Sequence, residues 1–449
     1  MEIFRYPSPA ADKRVAAVVG RTIDFGKSEL QAVERILKAV KGEGDAALIR
    51  YCRQFDAPQM TIESLAVTPA ETAAARKKVD RTFIRALNRA ASQIERFHRW
   101  QLPQSWIDTR RPGTLLGQMV HPVDAAGIYV PGGRGGTTPL VSSVLMGAIP
   151  AKLAGVKKVV MVTPPMPSGE VAPHLLLAAE KVGLDAVYKV GSAWAIGALA
   201  YGTQTIPKVN VIVGPGNIYV TLAKKMVAGT VGVDMIAGPS EILVIADRTA
   251  NPEFAAADLL SQAEHDPLAS AILITDSVEL ARAVQAALDH QLPCLARAEI
   301  ARQSLTAFGA IMVVERLEIA IELANHIAPE HLELQIAEPM DVVPQIRNAG
   351  AVFIGHFTPE AVGDYMAGPN HVLPTAGTAR FSSALSVENF LKKTSLIRYS
   401  PQALKKESSD IICLATVEGL GAHANAIQVR LSSRTPRTKG SDHPCKASI

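Results

Sequence analysis

Residues 156–217 read VKKVVMVTPPMPSGEVAPHLLLAAEKVGLDAVYKVGSAWAIGALAYGTQTIPKVNVIVGPGN and alternate between two kinds of pattern. Short runs rich in valine predict strands, which we place at Val156–Pro164, Ala186–Gly191 and Val209–Asn217. The stretches between them carry apolar residues at helical spacing, at His174–Val182 and Ala193–Tyr201. Strands that alternate with helices in this way indicate parallel β-α-β units in an open sheet.

The same alternation extends outward in both directions. Towards the C-terminus we predict buried strands within Met235–Asp247, Ser270–Asp276 and Ala310–Val314, with helices between them. Towards the N-terminus, residues 27–98 repeat apolar residues three and four positions apart, which predicts helices. The pattern is therefore typical of the α/β class.

Two glycine-rich turns follow predicted strands. They are PGGRGG at residues 131–136 and GPGN at Gly214–Asn217, and neither matches the dinucleotide fingerprint GxGxxG. In an open parallel sheet, ligands bind beyond the carboxyl ends of the strands, where backbone N–H groups meet phosphate or ribose. The turns alone are equally consistent with a nucleotide site and with plain tight turns.

Three further groups of polar residues are candidates for chemistry. The stretch GDYMAGPNHVLPTAGTARFSS, from Gly363 to Ser383, is a predicted loop that contains Asp364 and His371. Gln262 and His265 share one face of a predicted helix, although such a pair is more often a surface pair. The adjacent Glu330 and His331 follow a predicted helix end and offer a carboxylate beside an imidazole, or an ordinary capped end.

Composition limits the class of protein. With 449 residues, 48% hydrophobic residues and a net charge of +4, the chain is expected to be globular, multidomain and without affinity for nucleic acid. Its four cysteines form no CxxC pair, and we find no signal peptide or membrane span, so a cytoplasmic location is expected. The basic tail from residue 434 is predicted to be disordered.

Five segments in this order carry a resemblance to a known family: AGPSEILVIAD, DLLSQAEHDP, NHIAPEHLEL, the loop 363–383, and EGLGAHANAI. From about Val15 to Arg430 the chain resembles the histidinol dehydrogenases. The resemblance implies two Rossmann-like parallel-sheet domains, one inserted in the other, with small helical segments at each end. The implied division is 1–26 as an N-terminal segment, 27–128 with 240–384 as the first domain, 129–239 as the second, 385–433 for dimerisation, and 434–449 as the tail.

The resemblance also implies a reaction, the zinc-dependent, NAD-linked oxidation of L-histidinol through L-histidinal to L-histidine. The implied zinc ligands are Gln262, His265, Asp364 and His423. His331 matches the general base, and Glu330 matches the residue that activates water for the second oxidation.

The remaining implied contacts are to substrate, cofactor and partner. Besides the six zinc and catalytic residues, the substrate is expected to contact Ser240, His371 and Glu418. The implied cofactor positions are Tyr129, Trp194 and Asn217. The family's homodimer is intertwined, so that the segment carrying Glu418 and His423 completes the partner's active site.

Two departures from the family pattern concern the nucleotide. Trp194 stands where the family usually has glutamine, and an indole cannot accept hydrogen bonds. The loop Gly133–Val141 is also a few residues longer than usual. Three alternatives stay open at this point: a related zinc- and NAD-dependent dehydrogenase for another primary alcohol such as a sulfonated diol, a zinc hydrolase that uses Glu330, and a binding protein without activity.

Overall fold

The structure is a computed structural model that describes residues 1–21, 25–132 and 138–432. The chain divides into two compact units. The first unit comprises Met1–Leu102 and Pro122–Leu391, and the second comprises Pro103–His121 together with the chain from Lys392 onward. The predicted tail 434–449 and most of the glycine-rich loop that begins at Gly133 lie outside the described residues.

The elements are numbered in chain order. The strands are β1 (Ile3–Arg5), β2 (Trp106–Asp108), β3 (Thr114–Pro122), β4 (Ala125–Tyr129), β5 (Lys158–Thr163), β6 (Ala186–Lys189), β7 (Val211–Val213), β8 (Gly232–Val233), β9 (Glu241–Ala246), β10 (Ser270–Thr275), β11 (Ala310–Val313), β12 (His331–Gln335), β13 (Ala351–Ile354) and β14 (Leu391–Tyr399). The helices are α1 (Pro9–Val19), α2 (Lys27–Glu43), α3 (Asp45–Phe55), α4 (Pro69–Arg76), α5 (Arg81–Arg99), α6 (Val141–Leu153), α7 (Pro173–Lys181), α8 (Ser192–Tyr201), α9 (Ile218–Val227), α10 (Pro252–Ala263), α11 (Val278–Gln291), α12 (Ala298–Phe308), α13 (Leu317–Ile327), α14 (Pro339–Val342), α15 (Glu360–Tyr365), α16 (Pro401–Val417) and α17 (Gly421–Ser432).

Two parallel sheets form the centre of the first unit. One has six strands in the order β1-β11-β10-β9-β12-β13, and the other has five in the order β6-β5-β4-β7-β8. Strands such as β9 (EILVIA) and β10 are buried along their whole length because apolar clusters cover both sheet faces. The predicted α/β class and the strands predicted in residues 156–217, seen here as β5, β6 and β7, are confirmed.

In each sheet, successive strands are first added on one side of a starting strand and later ones on its other side. The starting strands are β9 and β4. The reversal lies between β9 and β12 in the six-stranded sheet and between β4 and β7 in the five-stranded sheet. Such topological switch points create crevices in open α/β sheets. The GPGN turn lies at the carboxyl end of β7, beside one of these switch points, whereas Glu330 and His331 lie at the amino end of β12.

The N-terminal residues are part of this architecture. The three-residue strand β1 pairs with β11 and extends the six-stranded sheet, which the sequence did not predict. Helices α2 and α3 pack in the apolar cluster of the five-stranded sheet, and β4 belongs to that sheet. The domain division implied by the resemblance instead grouped residues 27–128 with the six-stranded sheet. The insertion of one domain into the other stays a prediction.

The second unit contains a three-stranded sheet in the order β14-β3-β2, in which β2 and β3 are antiparallel, and the helices α16 and α17. Several of its large apolar side chains are exposed, including Ile397, Leu414 and Val417. Among the described residues, no helix combines the length and the apolar character that a membrane crossing requires.

Candidate active site

The candidate catalytic residues lie where β9 and β12 begin. Ser240 directly precedes β9, Glu330 directly precedes β12, and His331 is the first residue of β12, paired with Ile242. The site is therefore at the amino edge of the six-stranded sheet. Helices α10 and α13 end at this edge, since each leads into the start of a strand, and helix C-termini favour cations.

His331 is buried, and one of its ring nitrogens is hydrogen-bonded to the main chain. Its Nδ1 lies 3.0 Å from the main-chain carbonyl oxygen of Glu241. Because a carbonyl can only accept, Nδ1 carries the proton and Nε2 keeps its lone pair. Burial lowers the pKa of His331 to about 4, so the ring is neutral at pH 7. A neutral imidazole with a free Nε2 can act as a general base.

Glu330 is buried beside it and is held by the backbone. Its Oε2 accepts a hydrogen bond from the Glu241 N–H at 3.0 Å, and its own N–H donates to Glu241 Oε2 at 3.3 Å. Burial, followed by the carboxylates of Glu241 and Glu360, raises the pKa of Glu330 well above its usual value. A carboxyl group with a raised pKa suits proton transfer near neutral pH.

Asp364 and His371 come together from the stretch 363–383, which was predicted to be a loop; that prediction is wrong at its start, where residues 363–365 form the last turn of α15. Asp364 lies in α15, and its Oδ1 is 3.6 Å from Nδ1 of His371. Burial would raise the pKa of Asp364, but the contact with His371 and two further histidines, one of them His265, outweighs burial and lowers the pKa. Asp364 is therefore an ionised carboxylate that is only partly exposed.

Gln262 is linked to the residues around His331 by Glu360, which the sequence analysis missed. The orientation of the Gln262 amide is assigned from its hydrogen bonding: with the nitrogen towards Glu360, it donates to the carboxyl group, at 2.7 Å to Oε1. Glu360 Oε1 lies 3.7 Å from His331 Nε2, and burial raises the pKa of Glu360 to about 8. Its position four residues before Asp364 on α15 was the available signal, because residues four apart share a helix face.

Donor atoms at this edge are close enough to hold a metal ion. One atom each from His331, Glu360 and Asp364 lie within 4.8 Å of one another. This cluster shares only Asp364 with the predicted ligand set. Gln262 is buried beside the cluster. His265 follows it, with an exposed side chain and a main-chain N–H that donates to the Gln262 carbonyl oxygen.

Two cavities adjoin the catalytic residues. One of about 120 Å³ is lined by His331, Asp364 and His371 and by the apolar side chains of Phe353 and Leu373. The other, of about 320 Å³, lies between the start of α6 and residues 364–366. Its wall is completed by apolar side chains of α5, including Phe83, Leu87 and Ile94.

The predicted cofactor residues lie at the carboxyl edge of the five-stranded sheet. Asn217 is exposed and caps α9, accepting from Tyr219 N–H and Val220 N–H. Tyr129 is buried, and its hydroxyl accepts from Ser192 N–H at 3.1 Å.

Trp194 differs from Asn217 in its surroundings. Its ring stacks with those of Tyr51 and Phe55, each at a centroid distance of 5.6 Å. Only 4% of the residue is exposed, which leaves little surface for a ligand. The role of Trp194 as a cofactor contact stays a prediction.

The turn after β7 is supported by charged residues that sequence reasoning also missed. Gly214 has φ 114°, and a Cβ there would lie 2.1 Å from the Tyr129 carbonyl oxygen, so only glycine allows the two strand ends to approach. Asp234 accepts from Gly214 N–H at 2.8 Å, and Lys224 donates to the Gly214 carbonyl at 3.0 Å. Lys224 and Asp234 also form a buried ion pair, which holds the GPGN turn in place.

The last two predicted residues, Glu418 and His423, belong to the second unit. Glu418 caps the C-terminus of α16 and His423 lies in α17, and both side chains are exposed. Their part in the site stays a prediction.

Comparison with known families gives these observations a context. The profile of the family described as histidinol dehydrogenase matches residues 21–431. The chain belongs to the histidinol dehydrogenase family. Histidinol dehydrogenases are oxidoreductases that oxidise histidinol to histidine in histidine biosynthesis.

Individual relatives agree over nearly the whole chain. A histidinol dehydrogenase of Desulfotalea psychrophila is 58% identical over 400 residues, which is 89% of this chain and 92% of the relative. One from a Synechococcus species is 50% identical over 94% of this chain and 97% of its own length. These names do not favour the alternative of a dehydrogenase for a different alcohol.

A crystal structure of histidinol dehydrogenase from Elizabethkingia anophelis has the same fold. It superposes with a TM-score of 0.90 at 39% identity and covers 96% of this chain and 98% of the crystallised chain.

Proposed function

We propose that this histidinol dehydrogenase is a zinc- and NAD-dependent enzyme that oxidises L-histidinol through L-histidinal to L-histidine. The observation that carries the proposal is the state of His331, which is buried, neutral and hydrogen-bonded at Nδ1, with Nε2 left to accept a proton 3.7 Å from Glu360 Oε1. Family membership supplies the reaction, and the geometry supports the assignment of roles.

In the first oxidation, His331 acts as the base. Nε2 takes the hydroxyl proton of the alcohol while hydride leaves the carbinol carbon, and the bond from Nδ1 to the Glu241 carbonyl keeps the ring oriented. Because the ring is neutral at pH 7, no prior deprotonation is needed.

In the second oxidation, Glu330 takes a proton from the water that adds to the aldehyde. The hydrated aldehyde is again an alcohol, so His331 repeats its role in the second hydride transfer. The raised pKa of Glu330 supports this role, since such a carboxylate is a stronger base than an exposed one.

The donor set supports zinc. The Gln262 nitrogen is engaged by Glu360, so the amide oxygen is the atom left for a metal, and Asp364 is ionised. We assign Gln262, His265 and Asp364 as ligands, with His423 of the partner subunit. Bound zinc would supply a Lewis acid that holds the imidazole and amine of histidinol.

The substrate lies, in this proposal, in the 120 Å³ cavity beside His331. Ser240 and His371 contact it from the first unit, and the carboxylate of Glu418 of the partner subunit accepts a hydrogen bond from a substrate N–H group.

The dinucleotide is assigned to the switch point between β4 and β7, beyond Tyr129 and beside Asn217, where it would supply the hydride acceptor. The 320 Å³ cavity between the start of α6 and Asp364 supports delivery of the nicotinamide to the substrate. Trp194 is assigned to the wall of this site and not to a stacking contact, because it is buried.

We further propose a homodimer, located in the cytoplasm. The exposed Ile397, Leu414 and Val417 of the second unit support it, because apolar side chains of this size are expected to be covered in a stable assembly.

The test is NADH formation by the purified, zinc-loaded protein given L-histidinol and excess NAD. We expect two NADH for each histidinol, with loss of activity on chelation. As the matched variant, His331→Ala should lose both oxidations and keep its zinc. Absence of NADH from histidinol and from histidinal would overturn the proposal, and zinc loss in the variant would overturn the assignment of His331 as a base.

A further inference from the structure

An ion pair behind the catalytic residues joins the N-terminal segment to them. Arg21 Nη2 donates to Glu241 Oε1 at 2.5 Å, although the two residues are 220 positions apart. Their side chains are 7% and 4% exposed.

Arg21 is held on all three of its nitrogens. Nε donates to the Val18 carbonyl at 3.2 Å, Nη1 to the Leu268 carbonyl at 2.6 Å, and Nη2 also to Ser270 Oγ at 2.8 Å. The guanidinium therefore fixes the end of the α1 segment against the start of β10 and gives Glu241 a rigid partner.

Glu241 in turn contacts both catalytic residues with three different groups. Its Oε2 accepts from Glu330 N–H, its N–H donates to Glu330 Oε2, and its carbonyl oxygen accepts from His331 Nδ1. The two carboxylate oxygens of Glu241 therefore have different partners: one contacts Arg21 and the other contacts the backbone of Glu330. A displacement of Glu241 would move the carboxylate of Glu330 and the ring of His331 together.

Stability alone gives little reason for such a pair. Burying two charges requires desolvation that their attraction often only just offsets, so apolar residues of similar size would serve equally well. What apolar residues cannot supply is an acceptor for the Glu330 N–H at a fixed place.

We propose that Arg21 and Glu241 are a positioning pair that sets the orientation of Glu330 and the Nδ1–H tautomer of His331. The inference rests on the roles proposed above for Glu330 and His331. It makes the N-terminal segment part of the active-site support, and the family profile begins at this same arginine.

The experiment compares Arg21→Met and Arg21→Lys with a control from another ion pair. Lys189→Met breaks the contact of Lys189 with Glu71, which lies outside the catalytic group. The side chain of Lys189 is 6% exposed. All variants are assayed for kcat and KM with histidinol, zinc content and Tm.

We expect Arg21→Met to lower kcat about 10- to 100-fold with little change in KM or zinc content, as for other supports of active-site groups. Lys189→Met should lower Tm and keep kcat. Arg21→Lys keeps the charge and loses the fork geometry, so kcat should stay low while Tm recovers. If Arg21→Met does not fold, Arg21→Lys provides the test. A wild-type kcat in Arg21→Lys would overturn the proposal.

A second measurement does not depend on turnover. The ¹⁵N resonances of His331, assigned by their loss in His331→Gln, should show the Nδ1–H tautomer in the wild type and a mixture of tautomers in Arg21→Lys. An unchanged tautomer would overturn the proposal. Inactive wild-type protein would instead overturn the proposed function, so the two failures are distinguishable.

Discussion

Replacement of Glu330 by glutamine tests the division of labour between the two catalytic residues. The carboxylate accepts from the Glu241 N–H at 3.0 Å, and a glutamine amide oxygen accepts the same bond. The geometry of the segment is therefore kept, and what is lost is the ability to take a proton from water. We expect the step that hydrates histidinal to slow while the first oxidation continues.

The size of the effect follows from the chemistry. A positioned general base contributes about 10²- to 10⁴-fold to a rate, or roughly 3–5 kcal/mol of barrier. In a single turnover of Glu330→Gln, histidinol should therefore yield close to one NADH on the time scale in which the wild type yields two. Histidinal supplied directly should be oxidised slowly.

A neighbouring carboxyl group provides the matched control. Glu333 lies three residues after Glu330, within β12, and burial raises its pKa to about 9. Glu333→Gln makes the same carboxyl-to-amide change in the same segment and should not slow the oxidation of histidinal relative to that of histidinol. Equal slowing of histidinol and histidinal oxidation in Glu330→Gln, measured as NADH absorbance in rapid mixing, would refute the reasoning and make Glu330 a structural residue.

Three further predictions concern the metal, the pH dependence and the dimer. Glu360→Gln should weaken zinc binding about 10- to 100-fold, because the partner that orients the Gln262 amide is altered. Competition with a chelator measures the zinc affinity, and an unchanged affinity would contradict the role of Glu360. In metal-free protein, the pKa of His331 is about 4 when folded and about 6.5 when unfolded, so its contribution to stability is complete above pH 6.5 and is lost as the pH falls towards 4. Between pH 7.5 and 5 this amounts to about 2 kcal/mol, which a comparison of wild type and His331→Gln in urea at both pH values isolates; parallel pH profiles would contradict it. Finally, dimers of His331→Ala and of His423→Ala should each be inactive and should regain about a quarter of wild-type activity when their subunits are exchanged, because one site of each mixed dimer is intact. No recovery despite exchange would contradict a shared site.

Much of the fold followed from local pattern. The valine-rich runs and helical spacings of residues 156–217 predicted parallel β-α-β units, and β5, α7, β6, α8 and β7 are present there. These signals are readable because hydrophobic periodicity depends on near neighbours in the chain. The three-residue strand β1 was missed because so short a run carries no periodicity.

The candidate site divides in the same way. The loop with Asp364 and His371, and the adjacent Glu330 and His331, were readable as unusual polar residues between apolar elements, and the family resemblance assigned their roles. Glu360 and Glu241 were missed, because a buried carboxyl group and a solvated one look alike in sequence.

The sequence by itself determined the α/β class, the order of the elements and the identity of the residues able to carry the chemistry. Only the tertiary structure decided which edge of each sheet they occupy, with catalytic residues at the amino edge of one and the GPGN turn at the carboxyl edge of the other. It alone brought Arg21 to Glu241 and Gln262 to Glu360. The physical reason is that burial, and with it the pKa of His331 and Glu330, depends on segments far apart in the chain, whose meeting leaves no trace in local pattern.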